Sequence, residues 1–183
     1  MEVRVRRSAG RAREYKKHTL LGWVFSLTIS ALVLAFVFGV WLTPVRVSGA
    51  SMAPQLRDGE IVFADRLAKY LTAPKRGDVV LFTDKNGDLL LKRIIALGGE
   101  TVEIVGGDVY IDSCPLDERG YAVVKDGSLA PTVVPEDHVF VLGDDRTDLY
   151  DSRSSGVGCV PAGDIAGVLR FRVYPVEKFT FYY

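Results

Sequence analysis

The sequence predicts a mostly β protein, in which a single N-terminal transmembrane helix precedes an all-β domain. Residues 20–42 form an apolar run without charged side chains. As a helix rising about 1.5 Å per residue, this run extends about 34 Å, enough to cross a bilayer core of about 30 Å. Beyond it, short apolar runs alternate with turns rich in Gly, Pro and Asp, a pattern typical of β-sheet proteins. With 183 residues, the chain has room for one domain and an anchor.

Charge divides the chain into a basic tail and an acidic body. Residues 1–19 carry seven Arg or Lys and two acids, although the whole chain has 23 side chains of each sign. Basic residues on one side of an apolar span keep that side in the cytoplasm. We therefore expect a cytoplasmic tail at 1–19, a transmembrane helix at 20–42 and an extracytoplasmic β-rich domain at 43–183. No aromatic or Gly-rich motif accompanies the arginines, which disfavours nucleic-acid binding.

A cleaved signal peptide would share these N-terminal features, because small residues at 48–50 follow the basic tail and the apolar run. The run, however, is well over the roughly 7 to 15 residues of a signal-peptide core. Trp23 and Trp41 also stand near its two ends, where aromatic residues anchor a helix at the membrane interfaces. These features favour a retained anchor that contacts the lipid bilayer.

Two hairpins are predicted within the domain. A turn at 84–88 separates the apolar runs 78–82 and 89–95, so Lys92 should lie on a strand beside 79–82. A second hairpin turns at Gly106-Gly107, between alternating residues at 101–104 and 109–111. Further strands are expected at 45–47, 60–64, 139–142 and 165–174, a short helix at 65–71, weak strands at most in 112–135, and an irregular loop at 143–158. We also expect Thr43-Pro44 to end the apolar helix. Of two interpretations of the aromatic tail 179–183, packing on the domain is favoured over contact with lipid.

The turn at 48–56 sets two hydroxyls, Ser48 and Ser51, close together. A serine becomes a useful nucleophile when a neighbouring base takes its proton. The chain has two histidines. His18 precedes the apolar run and His138 fits an ordinary strand position, so a serine-histidine-aspartate triad does not match this sequence.

A lysine is the alternative base, because burial disfavours its charged ammonium form. Lys92 is enclosed by the apolar neighbours Leu90, Leu91 and Ile94. A strand lysine that points to water would have the same neighbours. Spacing and periodicity alone leave both interpretations open.

Four segments carry a resemblance to a known family. They are residues 48–56, 76–80, 92–100, and 143–146 with 151–153. They occur in the order of the boxes of bacterial type I signal peptidases, the leader peptidases of the serine-lysine peptidase family, which the chain resembles from about residue 20 to 174. The resemblance implies the β fold of the signal peptidase type, no metal and no organic cofactor. It leaves the oligomeric state open.

The resemblance also implies an activity. Such a protein is a serine endopeptidase, anchored in the plasma membrane by one helix, that cleaves the signal peptides of secreted preproteins after small residues in Ala-X-Ala-like sites. Ser51 is then the nucleophile and Lys92 the general base, while Ser48 Oγ and the Ser51 N–H form the oxyanion hole. The resemblance assigns a supporting loop to Asp144, Arg146, Asp151, Ser152 and Arg153, and the walls of the substrate pockets to Val47, Met52, Leu56, Leu90 and Leu91.

Three positions depart from the family pattern. Gln55 stands where threonine is common, Asp145 where asparagine is common, and Leu149 where the family has a serine that contacts the catalytic lysine. A leucine cannot form that hydrogen bond. Either Ser152 or a water orients Lys92, or the leucine only adds desolvation, or the activity is reduced.

The sequence also allows other interpretations of the protein's function. A membrane-anchored, non-catalytic β-module that binds exported chains would tolerate Leu149. A self-cleaving serine-lysine repressor is disfavoured, because no DNA-binding helix pair precedes Ser51. Organellar inner-membrane peptidases also keep a lysine base. Cys114 and Cys159 indicate neither a disulfide nor a metal site by their spacing.

Overall fold

The computed structural model describes residues 21–122 and 124–182. The predicted basic tail at 1–19 lies outside the described residues, as do Leu20 and Tyr183. The chain divides into two compact units between Trp41 and Leu42.

The first unit is helix α1, Leu21–Trp41, which is long and apolar enough to cross a membrane. Its last turn, Val37–Trp41, widens to a π-helix. Helix α1 ends before Pro44, as predicted, but the next strand begins at Leu42 and contains Pro44, whereas it was predicted to begin at residue 45. That strand is the first in the order of its sheet. An edge strand tolerates a proline because one of its sides forms no ladder hydrogen bonds.

The second unit is built almost entirely from strands, so the predicted fold class is confirmed, with 37% strand and 19% helix in total. Its strands are β1 Leu42–Arg46, β2 Ile61–Asp65, β3 Val79–Thr83, β4 Leu89–Leu97, β5 Thr101–Val105, β6 Asp108–Ile111, β7 Cys114–Pro115, β8 Leu129–Val133, β9 His138–Leu142, β10 Val160–Pro161, β11 Ile165–Tyr174 and β12 Thr180–Phe181. The short helices are α2 Ala68–Leu71 and two 3-10 turns, Ala162–Asp164 and Val176–Lys178.

These strands form two antiparallel sheets. The larger has the order β1-β2-β11-β3-β4-β9-β10, with β12 attached to β11, and the smaller has the order β7-β6-β5-β8. Strand β4 is central to the larger sheet, with β3 on one side and β9 on the other. Val80 faces Lys92 across the β3–β4 ladder, which confirms the predicted hairpin. The β5–β6 hairpin is confirmed as well.

Apolar side chains form three buried clusters. One joins β3, β4, β9 and β11 around Phe82 and Ile94, and a second joins β4 and β9 to the smaller sheet around Phe140. The third packs Met52 and Leu56 against β2 and β11. The third cluster therefore anchors the turn at 48–56, which carries Ser51, to the domain core.

The described part of the aromatic tail packs on the domain, as predicted. Strand β12 pairs with β11, with Phe181 opposite Phe171. The ring of Phe179 lies 6.2 Å from that of Phe171 and 5.1 Å from that of Phe181. The end of the chain thereby extends the larger sheet along β11.

Two acids that are adjacent in sequence form ion pairs that differ in burial, which allows a stability test. Glu118 and Arg146 form a fully buried pair, whereas Asp117 and Arg119 form an exposed one. We expect Glu118→Gln to lower the free energy of unfolding by about 3–5 kcal/mol, because it leaves the Arg146 charge buried without a counter-charge. Urea unfolding of the full chain in detergent, followed by far-UV circular dichroism, measures this change.

The matched control is Asp117→Asn, which removes the exposed pair and should leave the unfolding midpoint unchanged. Equal midpoints for Glu118→Gln and the wild type would show that the buried pair contributes nothing. Tryptophan fluorescence does not serve here, because both tryptophans, Trp23 and Trp41, belong to α1.

Candidate active site

The turn that carries Ser51 is held by its own backbone and by buried anchors. Its entrance is fixed by a hydrogen bond from the Gly49 N–H to Asp58 Oδ1 at 3.0 Å. Gly49 has a φ of 85°, which a residue with a side chain rarely adopts. The Leu56 N–H closes the turn on the Met52 carbonyl at 2.8 Å, and both side chains are buried. The turn therefore presents Ser51 from a fixed base.

Lys92 reaches the same region from the central strand β4. Its side chain is 2% exposed. A buried ammonium group is costly unless it is paired. The partner is Asp148, whose Oδ2 accepts a hydrogen bond from Lys92 Nζ at 2.9 Å.

Ser48, Ser51 and Lys92 line one open cleft of about 220 Å³. Segments 45–48 and 51–52 form one wall, and the hairpin strands β3 and β4 supply Leu81 and residues 89–92. Of the five predicted pocket residues, Val47, Met52, Leu90 and Leu91 lie on the cleft walls. Leu56 lies in the core instead and is fully buried.

A larger cavity, of about 360 Å³, lies between the segment 69–74 and the start of β11. None of the candidate catalytic residues lines it. Size alone therefore does not locate the chemistry in this domain, and the smaller cleft is the candidate site.

Gly143 permits the close packing of the next loop on this cleft. A Cβ atom at this position would lie 2.6 Å from the Ser51 carbonyl oxygen and 3.5 Å from Lys92 Nζ. The Asp145 N–H donates to the same Ser51 carbonyl at 3.0 Å. The start of the loop 143–158 thus touches both candidate catalytic residues.

The loop is held by a buried ion pair within it. Asp151 is fully buried, and its carboxylate accepts hydrogen bonds from the guanidinium of Arg153. Arg153 Nη2 also donates to the carbonyls of Arg146 and Asp148, at 3.0 and 2.8 Å. Arg153 therefore fixes the backbone at the residue that contacts Lys92.

The other two predicted charges of the loop pair with residues outside it. Asp144 accepts two hydrogen bonds from Arg93, each of 2.7 Å. Burial raises the pKa of the Asp144 carboxyl, although the hydrogen bonds and charge of Arg93 oppose that shift. Arg146 pairs with Glu118 and donates to the Gly143 carbonyl at 2.8 Å. These contacts set where the loop begins.

The position of the family's serine is exposed in this chain. Leu149 is 55% exposed, so its side chain does not enclose the lysine. The Ser152 hydroxyl accepts a hydrogen bond from the Val141 N–H at 2.9 Å, which ties the loop to β9. Among residues 21–122 and 124–182, the hydrogen-bond partner of Lys92 Nζ is Asp148.

Asp148 is ionised near neutral pH. Partial burial alone would raise the pKa of its carboxyl, but the Tyr150 N–H, the hydrogen bond and charge of Lys92, and the charge of Arg153 together lower it. Asp148 was not predicted from the sequence, although an acid next to Leu149 was a visible signal. Glu118 was not predicted either, because spacing held no signal for it, and Gly143 was predicted as part of the segment 143–146 without a role of its own.

A family model described as "Signal peptidase, peptidase S26" matches residues 20–174. The chain belongs to this signal peptidase family. Signal peptidase I of Bacillus amyloliquefaciens is 32% identical over 175 residues, covering 89% of this chain and 92% of that protein. Signal peptidase I S of Bacillus subtilis (strain 168) is 35% identical over 176 residues, covering 89% and 94%.

A solved structure is also similar to part of the chain. The crystal structure of a signal peptidase I from Enterococcus faecalis V583 is 33% identical, covers 54% of this chain and 97% of that chain, and superposes with a TM-score of 0.45.

Membership of the signal peptidase family supports a peptidase that cleaves signal peptides from preproteins. Together with the apolar helix α1, it indicates a membrane-anchored protein. Within the described residues, no group of three or more His, Cys, Asp or Glu side chains could hold a metal ion. Cys114 and Cys159 are free thiols.

The close packing at Gly143 gives a test of the site's construction. We expect Gly143→Ala to lower the free energy of unfolding by about 1–3 kcal/mol, because the new methyl group overlaps the Ser51 carbonyl. Displacement of the serine turn should also lower signal-peptide cleavage by about ten- to a hundredfold. Urea unfolding and initial cleavage rates measure the two effects.

Gly163→Ala is the control, because nothing lies within 4 Å of a Cβ atom added there. Wild-type cleavage by Gly143→Ala would mean that the loop and the serine turn move apart without consequence.

Proposed function

We propose that the protein is a membrane-anchored endopeptidase that cleaves signal peptides with Ser51 as nucleophile and Lys92 as general base. One observation carries this proposal: the two residues come from separate segments of the chain and line the same cleft. Lys92 is otherwise enclosed by the sheet, so its amine can exchange a proton with a group in that cleft. No other lysine lines that cleft in the described part of the chain.

The reaction follows from these positions. The Ser51 hydroxyl gives its proton to a neutral Lys92 amine, and Oγ attacks the carbonyl carbon of the scissile bond. The resulting ammonium returns the proton to the leaving amine as the C–N bond breaks, which leaves an acyl group on Ser51. Lys92 then takes a proton from water, the hydroxide attacks the ester, and the proton passes back to Ser51.

The oxyanion formed in each step needs donors, and we assign this role to the Ser51 N–H and Ser48 Oγ. Both belong to residues on the cleft. No described group accepts a hydrogen bond from either donor, whereas the neighbouring Gly49 N–H is occupied by Asp58. Two unengaged donors next to the nucleophile support the assignment.

The substrate would bind as an extended strand. Residues 89–91 pair with β3 on one side, while the pairing of β4 with β9 begins at Arg93. Their other side is therefore unpaired among the described strands, as is the outer edge of β1. Such edges accept a peptide strand by backbone hydrogen bonds. The small, mainly apolar cleft between them fits a small residue before the scissile bond, as in Ala-X-Ala-like sites.

The charge distribution supports an orientation in the membrane. The seven basic side chains at 1–19 favour a cytoplasmic N-terminus, and the domain after α1 would then lie on the outer face of the plasma membrane. Signal peptides of exported preproteins become accessible on that face.

The catalytic assignment predicts the loss of activity in two variants. Ser51→Ala and Lys92→Ala should each abolish cleavage of a preprotein after its Ala-X-Ala site, because one lacks the nucleophile and the other the base. Mass spectrometry of the products, with wild type and variants in detergent and in lipid, measures the cleavage and its position.

Ser128→Ala and Lys75→Ala are the matched controls, because both side chains are exposed and lie outside the cleft. Cleavage by folded Ser51→Ala would refute the nucleophile. A folded wild-type protein that cleaves no preprotein would instead favour a non-catalytic module that binds exported chains.

The oxyanion assignment has its own test. Ser48→Ala should lower kcat by about 10²–10³-fold and leave KM nearly unchanged, because the lost hydrogen bond forms in the transition state. Steady-state kinetics with a signal-peptide substrate separate the two constants. A change in KM alone would show that Ser48 binds the substrate and does not stabilise the oxyanion.

A further inference from the structure

Lys92 is proposed to act as a base, yet its hydrogen-bond partner is an acid, Asp148. Lys92 is almost fully buried, and Asp148 accepts its hydrogen bond at 2.9 Å. A carboxylate at this distance stabilises the ammonium form of the lysine. It also restricts the rotation of Nζ, which has three equivalent donors.

Asp148 is itself held in place from several directions. Its Oδ1 accepts a hydrogen bond from the Tyr150 N–H at 3.0 Å, and its carbonyl accepts one from Arg153. The Tyr150 hydroxyl donates to Asp84 in the β3–β4 turn and accepts from Asn86 Nδ2 at 2.9 Å. The carboxylate is thus fixed relative to both β4 and the turn beside it.

We propose that Asp148 is a positioning residue for Lys92, which directs Nζ toward Ser51 and stabilises the ammonium that forms when Ser51 loses its proton. This inference rests on the proposed function. It assigns to an acid the role for which the exposed Leu149 offers no hydroxyl. Asp148 itself neither gives nor takes a proton during the reaction.

The carboxylate has two opposite effects on the rate. It stabilises the charge that develops on Lys92 in the transition state, which raises the rate once the lysine is neutral. It also favours the ammonium form of Lys92 over the neutral amine that accepts the proton of Ser51, which opposes the first effect. The other charged groups around the pair, among the described residues, are Arg153 on the loop and Arg46 on the same cleft, together with Asp84 behind Tyr150 and Arg93, which is paired with Asp144.

Two variants distinguish the effect of the Asp148 charge from that of its hydrogen bond to Lys92. Asp148→Asn keeps an oxygen acceptor and removes the charge, so the acid limb of the pH–rate profile should move to lower pH by about 1–3 units, with a lower plateau. Asp148→Ala removes the contact as well and should lower kcat by about a hundredfold, with KM unchanged. Steady-state cleavage of a signal-peptide substrate between pH 5 and 11, by the full chain in detergent, measures both.

Asp108→Asn is the matched control, because Asp108 pairs with Lys125 in an exposed Lys–Asp pair on β6, outside the cleft. Its pH profile should coincide with that of the wild type. Circular dichroism confirms that each variant is folded, and Asp148→Asn provides the test by itself if Asp148→Ala is not.

The outcomes distinguish this proposal from the function on which it rests. If Lys92→Ala is inactive while Asp148→Asn keeps the wild-type pH profile and kcat, the positioning role is refuted and the serine-lysine mechanism stands. If Lys92→Ala cleaves like the wild type, the mechanism fails, and the role of Asp148 fails with it. A shifted acid limb in Asp148→Asn alone among the aspartate variants supports the proposal.

Discussion

The burial of one ammonium group, that of Lys92, is the constraint on which the arrangement of the domain depends. Removing a charge from water costs several kcal/mol even after the protein relaxes. The central strand β4 keeps Lys92 away from solvent, and Asp148 supplies the opposite charge. Because Asp148 lies in an irregular loop, that loop has to be fixed, and the buried pair of Asp151 with Arg153 does so. The need to pair the Lys92 charge thus constrains the conformation of the sixteen loop residues 143–158.

Two further buried ion pairs set the point at which this loop begins. Arg93 binds Asp144, and Arg146 binds Glu118 from the segment after β7. A buried ion pair adds little net stability compared with apolar packing. The two ion pairs here fix a position: with Asp144 and Glu118 both paired, Gly143 lies against the Ser51 carbonyl. The connection between β7 and β8 therefore contributes to the site through Glu118, although the smaller sheet supplies no residue to the cleft.

Much of the fold could be predicted from local pattern, and much of the site could not. Alternating apolar residues and a turn signal placed Lys92 beside Val80, because strand periodicity is a property of neighbouring residues. The contacts of Glu118, Gly143 and Asp148 join segments far apart in the chain, where no periodicity constrains them. The start of β1 was predicted at residue 45 instead of Leu42 for a related reason. Whether a proline ends an element or lies in it depends on whether that strand is at an edge, which only the sheet order shows.

The unpaired sides of residues 89–91 and of β1 also limit what the proposed peptidase can digest. A strand edge offers backbone donors and acceptors at fixed intervals, and only a chain whose own backbone groups are unengaged can match them. Helices and the interiors of folded domains have already used those groups. The enzyme would therefore spare the mature part of its substrates and the proteins around it without any dedicated inhibitor. Folded proteins at the membrane surface would then be protected from cleavage because their backbone groups are already hydrogen-bonded.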